Sequence, residues 1–387
     1  MQRGEHGLEQ DPEIWWQALR QTLQALSDQT DLSRCSRLSV DGTSATLLLT
    51  DAHGKALTPA WMYNDARSRN AAQLIAANSP ADHAAHGPTS SLAKCLTLQQ
   101  QTPQACHAVH QCDWILGRLS KRFDLSDENN ALKLGYDPLP RQWPDWLADL
   151  GLDNGLLPQV QPAGTEIGLI DAQVAAELGL PDSLTLVSGT TDSTAAVLAS
   201  GASQMGDAVS SLGSTLVMKI LSNQPVFDAR HGLYSQRLGS FWLVGGASNS
   251  GGRVLLQHFT VQQMNEMTPA LKPEHPTGLN YYPLPATGER FPYAEPDMQS
   301  CITPRPDQDV VFFQGLLEGM AAIEAQGYRV MEKAGAPAPQ RVISIGGGAM
   351  NEGWRKIRAR QLGVPVEPAR HMQAAYGTAL LASGQIP

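Results

Sequence analysis

Asp192 lies in "SGTTDSTAAV", where an apolar strand passes into a helix. A carboxylate at such a junction can take the proton of a hydroxyl as that hydroxyl attacks phosphorus. The same position also suits the N-cap of a helix beginning at Ser193, and the residues alone leave both readings open. "SLGSTLVMKI" places Gly213, Ser214 and Thr215 at a hairpin tip, where backbone N–H groups and hydroxyls can cradle phosphate oxygens. Gly346, Gly347 and Gly348 follow a β-branched strand and precede a helix. Without Cβ atoms they let a flat or charged ligand lie against the backbone, or they serve only as a tight turn. Asn64, Asp65 and Arg67 offer donors and acceptors suited to a polyhydroxylated ligand, and equally make an ordinary polar cap; Asn129 and Asn130 share that ambiguity. "LSVDGTSATLLLTD", residues 38–51, reads as a strand, an Asp-Gly-Thr turn and a second strand. Such a turn can grip a phosphate or some other polar ligand. The chain contains neither GxGxxG nor GxxxxGK[ST], so a Rossmann dinucleotide site and a P-loop are unsupported.

These residues need a frame of alternating strands and helices. Residues 10–28 read as a helix opened by Asp11-Pro12, with Trp15, Leu19, Leu23 and Leu26 at helical spacing. A hairpin over 38–51 follows, then a loop entering a helix at Asn64-Asp65. Residues 88–150 are mainly helical, and a new apolar strand starts at 184. Beyond it come "GTTDS" with its helix, the 213–215 hairpin and the strand-then-glycine stretch "FWLVGGASNSGG". Residues 261–309 are Pro-rich and read as a surface excursion, followed by a helix over 312–335. "RVISIGGGAMNEGWRKIRARQLG" gives a strand, three glycines and a helix, and a short helix ends the chain. The class is α/β. Gly-Ser/Thr hairpins at 42–44 and 213–215 hint at a duplicated architecture. Two domains are expected, 1–183 and 184–387.

The 387 residues, 42% hydrophobic, suffice for two cores, and the formal charge of −9 argues against nucleic acid or an anionic membrane as partner. No apolar run approaches the roughly 20 residues that span a bilayer, and the start has no signal-peptide core. Five cysteines without a CxxC pair read as free thiols of a reducing cytoplasm. No metal-ligand set is assigned; His107 and His110 near Cys106 and Cys112 lack a second ligand pair.

Taken in order, the motifs resemble those of the FGGY carbohydrate kinases. "SVDGTSATLLLTDAHGKALTPAWMYNDARS" is similar to the family's sugar-contact loop with its aromatic-x-Asn-Asp segment, and "LPQVQPAGTEIG" to the end of its first domain. "SGTTDSTAAVLASGA" resembles the segment with the catalytic aspartate, "LGSTLVMKI" the second phosphate hairpin, and "YYPLPATGERFPY" the Gly-Glu-Arg-x-Pro stretch. "ISIGGGAMNEGWRKIRARQLGVPVEP" resembles the adenosine motif, and "DGTSATLLL", "MYNDAR" and "NNALKLGYD" together look most similar to the D-ribulose/xylulose kinase branch. The resemblance implies two actin-like, ribonuclease-H-like α/β domains around a cleft. It implies ATP and Mg²⁺ as cofactors and transfer to the terminal hydroxyl of a ketopentose, D-ribulose first and D-xylulose second. Asp192 would be the base and a sugar contact; Thr43, Ser44, Asn64 and Asp65 would orient the sugar. Gly213, Ser214, Thr215 and Gly251 would hold phosphates, and Gly346, Gly347, Gly348 and Asn351 the adenosine. A homodimer is compatible with this reading. One departure stands out: the family's first phosphate hairpin, an Asp-x-Gly-Thr stretch, is not found ahead of "EQDPEIWWQAL". The 41–44 turn is therefore expected to be a sugar loop, the first domain to lack about two strands, and Met1 to be internal to a longer coding stretch. The alternative function is a catalytically impaired sugar- or nucleotide-binding protein of the same fold. An actin-like ATPase with a protein partner is the more distant rival.

Overall fold

The computed structural model describes residues 2–4 and 7–387. The chain divides into two compact units, Met1–Leu198 with Gln373–Ile386, and Ala199–Met372 with Pro387. The strand expected to open the second domain, Thr185–Val187, pairs in parallel with Arg37–Leu38 inside the first unit. The closing helix Ala374–Ala382 belongs there too: Thr378 Oγ1 donates to Asp41 Oδ2 at 2.6 Å, and Arg37 Nη1 to the Ala382 carbonyl at 3.2 Å.

In the first unit, a five-stranded antiparallel sheet runs in the order Gln2–Gly4, Gly7–Gln10, Ala60–Trp61, Leu47–Thr50, His107–His110. Alternate side chains of one strand face opposite sides of its sheet, and Leu47–Thr50 shows the consequence. Leu48 joins Trp15, Trp114 and Leu186 in one core, while Leu47 and Leu49 join Trp61, Ile75 and Leu92 in another. A three-stranded sheet carries Glu166–Leu169, Thr185–Val187 and Arg37–Leu38. A short parallel pair follows it along the chain, Asp41–Gly42 with Thr190–Thr191. The 38–51 stretch is thus no hairpin. Its first half pairs in parallel with residues about 150 positions later, and its second half enters the five-stranded sheet. The helix expected from Asn64 begins at Arg69 instead, because Asp65 is engaged elsewhere.

The second unit is built on one six-stranded sheet ordered Tyr234–Leu238, Phe241–Ser248, Leu216–Ser222, Asp207–Leu212, Arg341–Ile345, Val366–Pro368. The first four strands are antiparallel neighbours, as short hairpin loops allow. Asp207–Leu212 and Arg341–Ile345 run parallel, with Ser211 opposite Ile345. Between them in sequence lies the helix Asp309–Lys333, which buries Leu316, Met320, Ile323 and Gly327. The Pro-rich 261–309 stretch has few regular elements beyond Val261–Met267 and a short 3₁₀ turn, Thr268–Ala270. Of the two Gly-Ser/Thr turns, only 213–215 closes a hairpin.

Candidate active site

The first unit assembles hydroxyls and a carboxylate at the ends of two parallel strands. Asp41 pairs with Thr190 and Gly42 with Thr191, so the next residues, Thr43 and Asp192, leave the strands side by side at their carboxyl ends. Ligands of parallel α/β sheets bind at such ends. Asp192 is half-buried and is the first residue of the helix Asp192–Ser200, its Oδ1 accepting the Ser193 N–H at 2.6 Å. The positive end of the helix dipole favours its ionised form. Thr43 is fixed by Gln111, whose Oε1 accepts from both the Thr43 N–H and its hydroxyl at 2.9 Å. Ser44 Oγ is enclosed and has no hydrogen-bond partner among the described residues, so its donor and acceptor capacity is unused there.

The Asn64 segment is tied to the same turn. Thr46 Oγ1 lies 2.6 Å from Thr43 Oγ1 and accepts the Tyr63 N–H at 3.0 Å. Asn64 itself is exposed. Asp65 is buried, and its carboxylate already accepts from the Arg67 guanidinium and from the Leu8 N–H at 2.8 Å. Burial pushes its pKa up, but those hydrogen bonds outweigh burial and hold it below the usual carboxylate range.

Behind the strand ends lies a buried polar layer. Asn129 Nδ2 donates to Thr190 Oγ1 at 3.0 Å, and Asp127 caps the short helix Glu128–Ala131 through the Asn129 and Asn130 N–H groups. Burial, and next the nearby Asp113, push the Asp127 carboxyl up. Cys112, Asp113 and Asp127 bring three potential metal ligands within 4.8 Å of one another. Their chemistry does not suit Mg²⁺, which takes oxygen ligands and keeps several waters. One of the three is a thiol, and both carboxylates already accept from His110, Ser126 and Asn130.

The second unit brings together the glycine-rich turns. The Gly213–Thr215 tip is latched to the start of the helix Gly252–His258, with Gly252 N–H donating to Gly213 O at 2.8 Å and Arg253 N–H to Ser214 O at 3.2 Å. Gly251 has φ 148°, and a Cβ there would sit 2.8 Å from Ser214 O. Because Ser211 faces Ile345, Gly346 lies beside Leu212; it has φ 84°, and a Cβ there would meet Leu212 O at 2.9 Å. Gly347 faces open space and Gly348 is packed on Trp354. The register thus places 213–215 and 346–348 side by side. Asn351 caps the helix Glu352–Leu362, its Oδ1 accepting the Trp354 N–H at 2.9 Å, and its Nδ2 donates to Thr268 Oγ1.

Two supports of these turns have roles that the sequence did not reveal, although Glu289 lies in the quoted Gly-Glu-Arg-x-Pro stretch. Glu289 is buried and accepts from Ser248 Oγ at 2.6 Å and from the Asn249 N–H at 2.7 Å, holding the 248–251 turn. Glu324 and Arg358 form a buried ion pair at 2.6 Å that also bonds Ser210 and Ser344, one on each central strand. Gln111 in the first unit was likewise missed. Each acts on a partner more than 30 residues away, which local pattern does not reveal.

Two family models cover nearly the whole chain. The N-terminal domain of the FGGY family of carbohydrate kinases matches residues 2–199, and its C-terminal domain residues 208–385. The chain belongs to the FGGY family of carbohydrate kinases, enzymes that transfer phosphate from ATP to sugars. A xylulose kinase of Escherichia coli is 26% identical over 370 residues, 91% of this chain and 76% of that protein. An L-fuculokinase of Salmonella typhi is 26% identical over 245 residues, 58% of this chain and 48% of that protein. Among solved structures, a xylulose kinase from Rhodospirillum rubrum has a TM-score of 0.86 at 23% identity, over 99% of this chain and 82% of that one. A glycerol kinase from Plasmodium falciparum solved with ADP has a TM-score of 0.85 at 16% identity, over 100% and 83%. At such identities the structural likeness establishes the two-domain α/β fold.

Proposed function

We propose that this chain phosphorylates the terminal hydroxyl of a ketopentose, D-ribulose or D-xylulose, using ATP. The observation that carries the proposal is the register Gly42–Thr191, which sets Asp192 beside the Thr43–Ser44 turn. Thr43, the Ser44 hydroxyl, which has no partner among the described residues, and the exposed Asn64 amide orient the sugar hydroxyls. Asp65 contributes by ordering the loop through Arg67 and Leu8. Asp192 accepts the proton of the attacking hydroxyl as oxygen bonds to the γ-phosphorus and the bond to the β-phosphate oxygen breaks. Gly213, Ser214, Thr215 and Gly251 hold the phosphates. Gly346–Gly348 give the nucleoside a flat backbone surface that Asn351 fixes by capping the next helix. Mg²⁺, when bound, neutralises phosphate charge, and in this reading the nucleotide's own oxygens carry it. The xylulose kinases among the relatives support a ketopentose.

The test is ADP release by this chain with Mg-ATP and a panel of ketoses and polyols. Turnover with D-ribulose or D-xylulose is expected. Asp192→Ala should lower kcat by about 10²–10⁴-fold, the range for losing a positioned base, with ADP binding unchanged. A variant that keeps its rate removes Asp192 from the base role. Silence of the wild type across the panel favours a binding protein of the same fold.

A further inference from the structure

Lys94, on the helix Ser91–Gln101, has none of its surface exposed. Its Nζ donates to the Ala45 carbonyl at 2.7 Å and to the Met62 carbonyl at 2.8 Å. The two acceptors lie on different segments, and neither belongs to the helix that carries the lysine. Ala45 follows Thr43 and Ser44; Met62 precedes Tyr63 and Asn64. Ala45 also holds φ at 66°, a conformation that a residue with a Cβ keeps only when its surroundings over-determine it. The ammonium on its carbonyl is one such restraint. A lysine buried against carbonyls is a costly way to fill space, since an apolar side chain of similar volume avoids the desolvation.

We propose that Lys94 is a positioning residue for the sugar, fixing the separation of the Thr43–Ser44 turn from the Tyr63–Asn64 segment. The proposal rests on the reading of those residues as sugar contacts. Thr46, which bonds Thr43 and the Tyr63 N–H, is the second tie between the segments. Lys94 works from the opposite side, from within the core.

The experiment compares wild type, Lys94→Met and Lys94→Gln by calorimetry with D-ribulose, D-xylulose and ADP, alongside thermal melts. Lys94→Met, in which relief of lysine desolvation offsets loss of the donor to Ala45, is expected to stay folded, to weaken sugar binding at least tenfold and to leave ADP binding within twofold. Lys94→Gln, which restores a donor, should recover part of the sugar affinity. A folded Lys94→Met that binds sugar as the wild type does overturns the proposal. So does equal loss of sugar and ADP binding, and so does failure of both variants to fold, since either makes the lysine a general structural residue. Wild-type protein that binds neither sugar fails at an earlier point: it overturns the reading of the site, and the proposal with it.

Discussion

Asp192 and Lys94 hold their charges in opposite ways beside the proposed sugar site. Asp192 is half-exposed at a helix start, where an anion is stable and can still exchange a proton. Lys94 is sealed in the core, and burial lowers its ammonium from the usual 10.5 to about 7; the charge of Asp65 resists this, while Lys133 and Arg67 add to it. In the unfolded chain the lysine keeps its ordinary pKa. Between about pH 7 and 10.5 the unfolded chain therefore binds a proton that the folded chain does not. Wild-type stability from this group rises with pH through that window, and below it the burial cost is felt in full. Lys94→Met removes the pH-dependent burial cost, although it also takes the donor from the Ala45 carbonyl at every pH. The Tm of Lys94→Met relative to wild type should therefore be highest at pH 6 and fall steadily towards pH 10. Melts that show a constant difference across that range would place the ammonium in contact with water.

The turns and strands that carry the site differ in how openly the sequence declares them. The 346–348 turn is legible because Gly346 holds φ 84°, a conformation that glycine adopts without cost and that leaves a local mark in sequence; the 213–215 tip shows instead as a Gly-Ser-Thr break between two apolar runs. The 38–51 stretch misled for the same reason: two apolar runs around Asp-Gly-Thr look like a hairpin, yet Asp41–Gly42 pairs with Thr190–Thr191. Pairing across about 150 residues leaves no local periodicity to read. Gln111 and Lys94 escape similarly, since a lone polar residue in a helix does not announce a distant partner; Glu289 stands in the quoted Gly-Glu-Arg-x-Pro stretch, but its partners about 40 residues earlier are not visible there. Where glycine is demanded, the demand can be tested. Gly346→Ala forces a Cβ to 2.9 Å from Leu212 O at φ 84°, a strain of about 1–3 kcal/mol. Gly347→Ala places its Cβ in open space. The first should lower Tm and weaken ADP binding at least tenfold with sugar binding intact; the second should leave Tm unchanged. Equal melting of both variants would mean that the 346–348 turn relaxes freely, and that Leu212 does not fix its position.

The order of motifs along the chain revealed the class of molecule, but not which unit its end belongs to. Residues 373–386 follow the motifs proposed to hold the nucleotide directly in sequence, and sequence alone groups them together. In the structure they pack in the first unit, where Thr378 is bonded to Asp41 and Ala382 to Arg37. Asp41 stands two residues before Thr43, so the closing helix Ala374–Ala382 buttresses the turn proposed to hold the sugar rather than the turns proposed to hold the phosphates. Ligand binding suppresses the local openings that let amides exchange, and it does so in the cooperative unit that the ligand contacts. Hydrogen exchange on the intact chain therefore separates the two assignments. Sugar alone should slow exchange in 373–386 together with peptides spanning 38–46 and 188–198, leaving 207–222 and 341–362 unaffected. ADP alone should slow exchange in 207–222 and 341–362 and leave 373–386 at its free rate. Protection of 373–386 by ADP and not by sugar would separate the closing helix from the sugar turn, and the Asp41–Thr378 bond would then be incidental to function.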